Sequence, residues 1–168
     1  MSQRTRVIVA VAVLVIIVGA ILGIDALRRR SSATPVVKGD EILAPGSIPI
    51  YLNGVIVGGF TPDDLGQLDT VSFVDAEEGK TQEGWRLSDA ILANVEADQL
   101  TPATHIAVSS SSREKTAQLT WEEVEDPANH VMFDLSGRGT LKLVSVLERL
   151  DVRDEWVQDV DKIEIETD

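Results

Sequence analysis

Residues 48–60 read IPIYLNGVIVGGF, two short apolar runs joined by the dipeptide Asn53-Gly54. Asn-Gly suits the two central positions of a type I′ turn, because both positions need a positive φ. The twist of this turn also matches the twist of the two strands that it joins. The stretch therefore predicts a β-hairpin, and we take it as the start of a soluble domain at 48–168.

Three short helices are predicted downstream of the hairpin. Residues 61–64 read TPDD, a typical helix start, and predict a helix that runs through Leu68. Apolar residues at helical spacing predict a second helix over 87–95. The capping-box pattern TWEE at 120–123 opens a third helix, which Pro127 ends.

The other segments of the domain are predicted to be mainly strands separated by turns. EEGKTQEG at 77–84 is predicted to turn the chain. Alternation of apolar and polar residues predicts strands in TVSFVDA (70–76), THIAVSS (104–110), KTAQLTW (115–121), HVMFDL (130–135), TLKLVSV (140–146) and, as one long run, WVQDVDKIEI (156–165). The predicted fold class is α+β, with mixed or antiparallel strands and short helices.

An uncharged apolar stretch of eighteen residues, VIVAVAVLVIIVGAILGI, lies at 7–24. As a helix it is about 27 Å long, which is close to the thickness of a bilayer core. We predict an uncleaved, single-pass signal-anchor with a short segment at 1–6 before it and a linker at 25–47 after it. A cleaved signal peptide is the alternative, but GIDALRRR offers a poor cleavage pattern.

The orientation of this anchor is not decided by its flanking charges. Arg4 and Arg6 with the terminal amine nearly balance Arg28, Arg29 and Arg30. An N-terminal anchor commonly holds a soluble domain outside the cytoplasm. We therefore predict a cell-membrane protein with an extracytoplasmic domain.

The domain beyond the anchor is strongly acidic. Five of the 15 Lys and Arg residues flank the apolar stretch, which leaves 10 bases against 27 acids once Asp25 is set aside, a net charge of −17. Such a domain repels nucleic acids, which bind basic surfaces. The acidity serves solubility, a cationic partner or weak calcium sites. The absence of cysteine excludes disulfides and thiolate metal sites.

The weak candidates for a metal site are Asp75, Glu77 and Glu78, three acids in a loop before Gly79. Carboxylate oxygens are the ligands that calcium prefers. However, the twelve-residue loop pattern of an EF-hand is absent, and a solvated turn is the alternative interpretation.

No complete catalytic constellation is present in the sequence. His105 and His130 are the two histidines, and neither has the spacing of a zinc site. The serine run at 109–112 has no nucleophile-elbow pattern. Gly137 and Gly139 lie between two predicted strands, a context that favours a turn over a phosphate site. We therefore predict no catalytic residue.

The order of these segments over 48–166 resembles the molybdopterin-binding domain of the sulfite oxidase-like oxidoreductases. The resemblance rests on the order and not on any single motif. The segments that carry it are the short strand pair, FTPDDLGQL, VSFVDA, GWRLSDAIL, THIAVSS, QLTWEEV, HVMFDL and EWVQDVDKIEI.

The resemblance implies a molybdenum-ligating cysteine after the strand VSFVDA and basic residues around the pterin phosphate. This chain has no cysteine, and Asp75, Glu77 and Glu78 occupy that region, where they oppose an anionic ligand. The resemblance thus implies a fold whose catalytic role has been lost, and we predict that no cofactor is bound.

Three functions remain open from the sequence. The leading interpretation is a membrane-tethered, non-enzymatic domain that binds an unidentified partner protein at the cell envelope. The first alternative is a divergent molybdopterin-type oxidoreductase domain that still holds a cofactor. The second alternative is an envelope protein that binds calcium weakly.

Overall fold

The computed structural model of the chain describes residues 37–38 and 41–167. The predicted transmembrane helix at 7–24 lies outside these residues, as does the segment at 1–6. Within the described residues, no helix has both the length and the apolar character that crossing a membrane requires.

The described part of the chain is mostly β-structure with a few short helices. Its 3₁₀ turns lie at 64–67, 97–99, 127–129 and 153–155. The strands and α-helices are β1 (Val37–Lys38), β2 (Glu41–Ile42), β3 (Ile48–Leu52), β4 (Val55–Phe60), β5 (Thr70–Val74), β6 (Thr81–Arg86), α1 (Leu87–Leu92), β7 (His105–Ser110), β8 (Lys115–Thr120), α2 (Trp121–Glu125), β9 (Met132–Leu135), β10 (Leu141–Val144), β11 (Val157–Gln158) and β12 (Lys162–Glu166).

Two five-stranded sheets form the body of the domain. The first sheet has the order β4-β3-β12-β7-β8, and the second has the order β11-β10-β9-β6-β5. Only β3 and β12 pair in parallel among the strands of these two sheets, and the other neighbours are antiparallel. β1 and β2 pair with each other inside the predicted linker. The predicted fold class of mixed strands with short helices is confirmed for these residues.

The main hydrophobic core joins residues of both sheets to α1. Ile106 and Ile163 of the first sheet, Phe133 and Leu143 of the second, and Ile91 of α1 are all fully buried. Each such side chain contributes roughly 1.5–3 kcal/mol by leaving water. A smaller cluster contains Phe73, Met132, Val144 and Trp156.

The predicted hairpin at 48–60 is confirmed. β3 and β4 pair antiparallel, with Leu52 opposite Val55. Asn53 and Gly54 have φ values of 51° and 78°, so both central residues are left-handed, as the turn requires. The Asn53 N–H also donates to the carbonyl of Ile165 (2.8 Å), which fastens the turn to β12.

The prediction of one long strand at 156–165 is wrong. Val157–Gln158 is β11 of the second sheet, whereas Lys162–Glu166 is β12 of the first sheet. Asp159 between them has a φ of 56°, and the Val160 N–H donates to the Leu141 carbonyl. This left-handed residue ends the first strand and redirects the chain from one sheet to the other.

Two further predictions need correction. Residues 77–84, predicted to be a turn, include the first four of the six residues of β6, because that strand begins at Thr81. The predicted helix through Leu68 is only a four-residue 3₁₀ turn at 64–67. Asp64 accepts hydrogen bonds from the backbone N–H and the hydroxyl of Thr61. Its side chain therefore contacts the residue three positions before it in the chain.

The contacts of Asp159 also predict how the stability of the domain depends on pH. Its carboxylate accepts from the Thr140 hydroxyl (2.7 Å) and from Arg113 (2.7 Å), and Arg138 lies beside it. The Thr140 hydrogen bond and the two arginines hold the pKa of Asp159 below its ordinary value. A lowered folded-state pKa gives stability that is complete above the unfolded pKa and is lost as the pH falls through the folded value.

We therefore expect Asp159→Asn to destabilise the domain at pH 7 by about 1.5–3 kcal/mol, the range for hydrogen bonds to charged groups. Asparagine tolerates the left-handed φ, so the substitution removes mainly the charge. The difference between wild type and variant should shrink as the pH falls below about 4, where the unfolded carboxylate becomes protonated. Urea unfolding of wild type and variant at pH 7 and pH 3 measures the destabilisation and its dependence on pH. An equal difference in stability at the two pH values would contradict a lowered pKa for Asp159.

Candidate functional site

The three acids singled out in the sequence lie together in the turn between β5 and β6. Asp75 is buried, and its two oxygens accept hydrogen bonds from the backbone N–H of Glu78 (2.6 Å) and from the side-chain amide of Gln82 (2.9 Å). The N–H of Glu78 lowers the pKa of Asp75 below its ordinary value, which keeps this carboxylate ionised. Asp75 thus shapes the turn that contains it.

The other two acids of this turn contact the segment before β11. Glu77 accepts from the backbone N–H of Arg153 (2.9 Å), and Glu78 pairs with the Arg153 guanidinium (3.1 Å) and with Lys80 (2.6 Å). The hydrogen bond from Lys80 and the charge of Arg153 lower the pKa of Glu78. The acidic turn therefore connects the β5–β6 end of the second sheet to the segment before β11.

Polar side chains continue from this turn across the second sheet. Gln82 accepts from the ammonium of Lys142 (2.9 Å), which also pairs with Asp134 (2.9 Å) and lies over the ring of Trp156 (4.9 Å from the centroid). Lys142 and Asp134 keep only 17% and 14% of their side-chain surface exposed. This continuous network neutralises the charges that the sheet buries.

The contacts of the acidic turn are hydrogen bonds and ion pairs within the protein. Calcium needs six to eight oxygen ligands, whereas the oxygens described above already accept hydrogen bonds from the protein. Across residues 37–38 and 41–167, no group of three or more acids and histidines is arranged to hold a metal ion.

The two histidines lie in different parts of the domain. His105 is exposed on β7 and pairs with Thr120 of the first sheet. His130 has a φ of 45° and stacks against Phe73 of the second sheet, with 5.4 Å between ring centroids. The hydroxyl of Ser109 bonds to Thr116 (3.0 Å), as expected within a strand pair. These residues have local structural partners and form no shared site.

A groove lies between the 3₁₀ turn at 64–67 and α1. It consists of a cavity of about 200 Å³ and an adjoining shallower depression of about 530 Å³, which share Leu68 and Ala93 as lining residues. Leu92 at the end of α1 lines the shallow part and is 42% exposed. The groove therefore offers apolar surface to a ligand.

Asn94 forms one wall of the groove and is held rigidly. Its side-chain oxygen accepts from the Gly59 N–H (3.0 Å), and its amide donates to the Ala90 carbonyl (3.0 Å). A Cβ on Gly58 would lie only 2.2 Å from that oxygen, so glycine is required there. This wall of the groove is therefore preformed.

The rim of the groove is acidic. Asp64 lines the deeper part, and Asp69 and Asp89 line the shallow part together with a single base, Arg86. The hydrogen bonds from Thr61 lower the pKa of Asp64, so its charge persists at neutral pH. Apolar floor and acidic rim together suit a polypeptide that carries both apolar and basic side chains.

This groove was not found by sequence reasoning. The helical pattern at 87–95 predicted a helix but did not show that Ile91 is buried in the core while Leu92 lies at the surface.

A scan against protein-family models and a search of the curated proteins both gave no match to this chain.

Proposed function

We propose that this chain is a membrane-tethered, non-enzymatic domain that binds a partner protein at the cell envelope. In this proposal residues 7–24 form the transmembrane anchor and the acidic domain lies outside the cytoplasm. The observation that carries it is the groove beside α1, which presents exposed Leu92 between acidic side chains.

The polar network of the second sheet supports a binding role over catalysis. In the sulfite oxidase-like arrangement that the sequence resembles, the segment after β5 supplies the metal ligand. Here Asp75 in that segment is buried and hydrogen-bonded to Glu78 and Gln82. Its carboxylate serves the fold of the turn, which leaves it no free oxygen directed at a ligand.

The shape of the groove also favours a polypeptide ligand over a small molecule. Cofactor sites usually enclose most of their ligand. The larger part of the groove is a shallow, open depression on the surface, beside the end of a helix, and only the smaller part is a deeper cavity. Such surfaces accept one apolar anchor of a partner protein and surround it with polar contacts.

The experiment that tests this function is purification of the full chain from its own membranes in mild detergent after cross-linking. We expect one protein to co-purify in a fixed ratio. Leu92→Arg should reduce its recovery about tenfold or more, because a bulky cation replaces an apolar anchor. A cation in the last turn of a helix favours the helix, so the variant should stay folded.

Val146→Arg is the matched control for this experiment. Val146 is 41% exposed, almost the same as Leu92 at 42%, and it does not line the groove. Recovery of the partner should be unchanged in this variant. Equal losses in the two variants, or no stoichiometric partner for the wild type in several detergents, would refute the proposed function.

Protease treatment of intact cells tests the predicted orientation. An extracytoplasmic domain should be digested together with a known external marker. Survival of the domain while that marker disappears would show that it faces the cytoplasm.

A further inference from the structure

We infer that the outer edge of β5 binds an extended, basic segment of the partner protein, which adds a strand to the second sheet. This inference rests on the proposed function and specifies how the partner is held. The strands at the edges of the two sheets are β4, β8, β11 and β5.

Three of these four edges are protected. The Arg149 guanidinium donates to the Gln118 carbonyl of β8 (3.2 Å), and the Lys115 ammonium binds the carbonyl of Asp154. β11 has only two residues, and β1 lies beside β4, which also contains Gly58-Gly59. Short length, long basic side chains and covering segments are the usual means of preventing unwanted strand pairing.

Among residues 37–38 and 41–167, none gives β5 a protection of this kind. β5 reads TVSFV at 70–74, five residues without a charge, a proline, a glycine or a bulge. Val74 is 62% exposed at its end. Within the part of the chain that the structure describes, only β6 pairs with it. An uncharged, unpaired edge of this length is a template for pairing with another chain.

The hydrogen-bond alternation shows which backbone groups face outward. The Asp75 N–H donates to the Lys80 carbonyl (2.9 Å), and in an antiparallel pair every second residue bonds in the same direction. Val71 and Phe73 therefore bond to β6, opposite Gly84 and Gln82. The N–H and C=O groups of the alternate residues, Thr70, Ser72 and Val74, point away from the sheet.

The opposite side of β6 supports the same assignment. The Leu87 N–H donates to the Val131 carbonyl (3.0 Å). Because every second residue of a strand bonds in the same direction, the backbone groups of Trp85 also bond to β9, opposite Phe133. Gly84 and Gln82 then bond toward β5. Three donors and three acceptors on β5 are thus available to an added strand.

The surrounding charge selects a basic segment as the occupant. Asp69 directly precedes β5, Glu83 lies opposite Ser72, and Asp89 lines the groove next to Asp69. An antiparallel strand on β5 therefore runs with its C-terminal end into the acidic groove. Basic side chains at that end gain favourable interactions with Asp69 and Asp89.

A second copy of this chain fits the edge poorly. Antiparallel self-pairing centred on Ser72 would place Asp69 of one copy against the acidic turn at 75–78 of the other. Each domain also carries the large negative charge derived above, so the two would repel at moderate ionic strength. Both effects favour a different, basic protein.

The probe is the peptide VTVTVRR, labelled with a fluorophore and titrated with the full chain in detergent micelles. Its alternating strand pairs antiparallel with β5, and its arginines reach Asp69 and Asp89. We expect measurable binding that weakens about tenfold when both arginines become glutamate, because opposite charges then become like charges. N-methylation of the alternate amides that face β5 should abolish binding, since it removes the donors.

Ser72→Pro is the matching change in the protein. Proline at an edge position removes only an outward N–H, so the bonds between β5 and β6 remain. The variant should unfold at nearly the wild-type urea concentration and bind the peptide at least about tenfold more weakly. The N-methylated peptide gives the same test with the protein unchanged, so a folding defect in the variant would not obscure the result.

Peptide binding that survives both N-methylation and Ser72→Pro would overturn the inference. So would a wild-type chain that sediments as a dimer while Ser72→Pro is monomeric, because the edge would then hold a second copy. The co-purification assay separates the two proposals. A partner retained by Ser72→Pro but lost by Leu92→Arg refutes strand addition alone, whereas the absence of any partner refutes the proposed function.

Discussion

Gly84→Ala is expected to destabilise the domain by more than about 3 kcal/mol, at the upper end of the range for overpacking. A Cβ at residue 84 would lie 1.7 Å from the backbone oxygen of Phe133 and 3.0 Å from the Cα of Asp134. Both atoms belong to β9, the neighbouring strand, and backbone cannot rotate away as a side chain can. The methyl group would therefore force β6 and β9 apart in the middle of the second sheet.

Gly137→Ala is the control for this substitution. A Cβ at residue 137 meets nothing within 4 Å. Its effect on the free energy of unfolding should stay within about 0.5 kcal/mol. Urea titration of the full chain in detergent, followed by circular dichroism, compares the two variants. Equal midpoints would contradict the close approach of β6 and β9.

Phe133→Ala is expected to destabilise the domain by about 3–5 kcal/mol. Phe133 is fully buried on β9 and packs against Phe60, with 5.8 Å between ring centroids. Its removal leaves a cavity where the two sheets meet, and the surrounding strands cannot close it without losing their register. A loss of this size is a large part of the 5–15 kcal/mol typical of a whole domain.

Leu135→Ala on the same strand provides the comparison. Leu135 is 46% exposed, so its truncation removes little buried surface. Its cost should be below about 0.5 kcal/mol. The same urea titration measures both variants. A loss for Leu135→Ala that equals the loss for Phe133→Ala would show that the core lies elsewhere.

Local chemistry predicted several elements correctly from the sequence. Asn53-Gly54 predicted a left-handed turn, and both residues have positive φ. The capping box predicted at 120–123 is present, with Thr120 and Glu123 each accepting a backbone hydrogen bond from the other. These signals succeed because the residues that make the hydrogen bonds are close together in the sequence.

The strand β6 was missed because its stability comes from its neighbours. Gln82, Glu83 and Gly84 carry no strong strand preference. They form a strand because β5 and β9 pair with them from both sides, and Gly84 lets β9 approach closely. Such partners lie far away in the sequence, so no local pattern reports them.

The candidate site was predicted even less well, for a related reason. The sequence pointed to Asp75, Glu77 and Glu78. However, a carboxylate that binds a ligand cannot be distinguished in the sequence from a carboxylate that stabilises a turn. In the structure Asp75 accepts a hydrogen bond from Gln82 and Glu77 accepts one from the Arg153 N–H, contacts that no local pattern shows. The groove and the free edge of β5 depend on packing and sheet order, which the sequence does not display.

The position of β12 has a consequence for how the protein matures during synthesis. β12 lies between β3 and β7 in the first sheet, so its residues at 163–165 pair with residues at 50–52. The nascent chain therefore cannot complete this sheet until β12 has left the ribosome. Pairings between such distant segments form slowly, and unfinished sheet edges associate readily with other chains. In the membrane-tethered chain proposed above, the first sheet would stay incomplete near the membrane. Chaperones acting there would shield its unpaired edges from other chains.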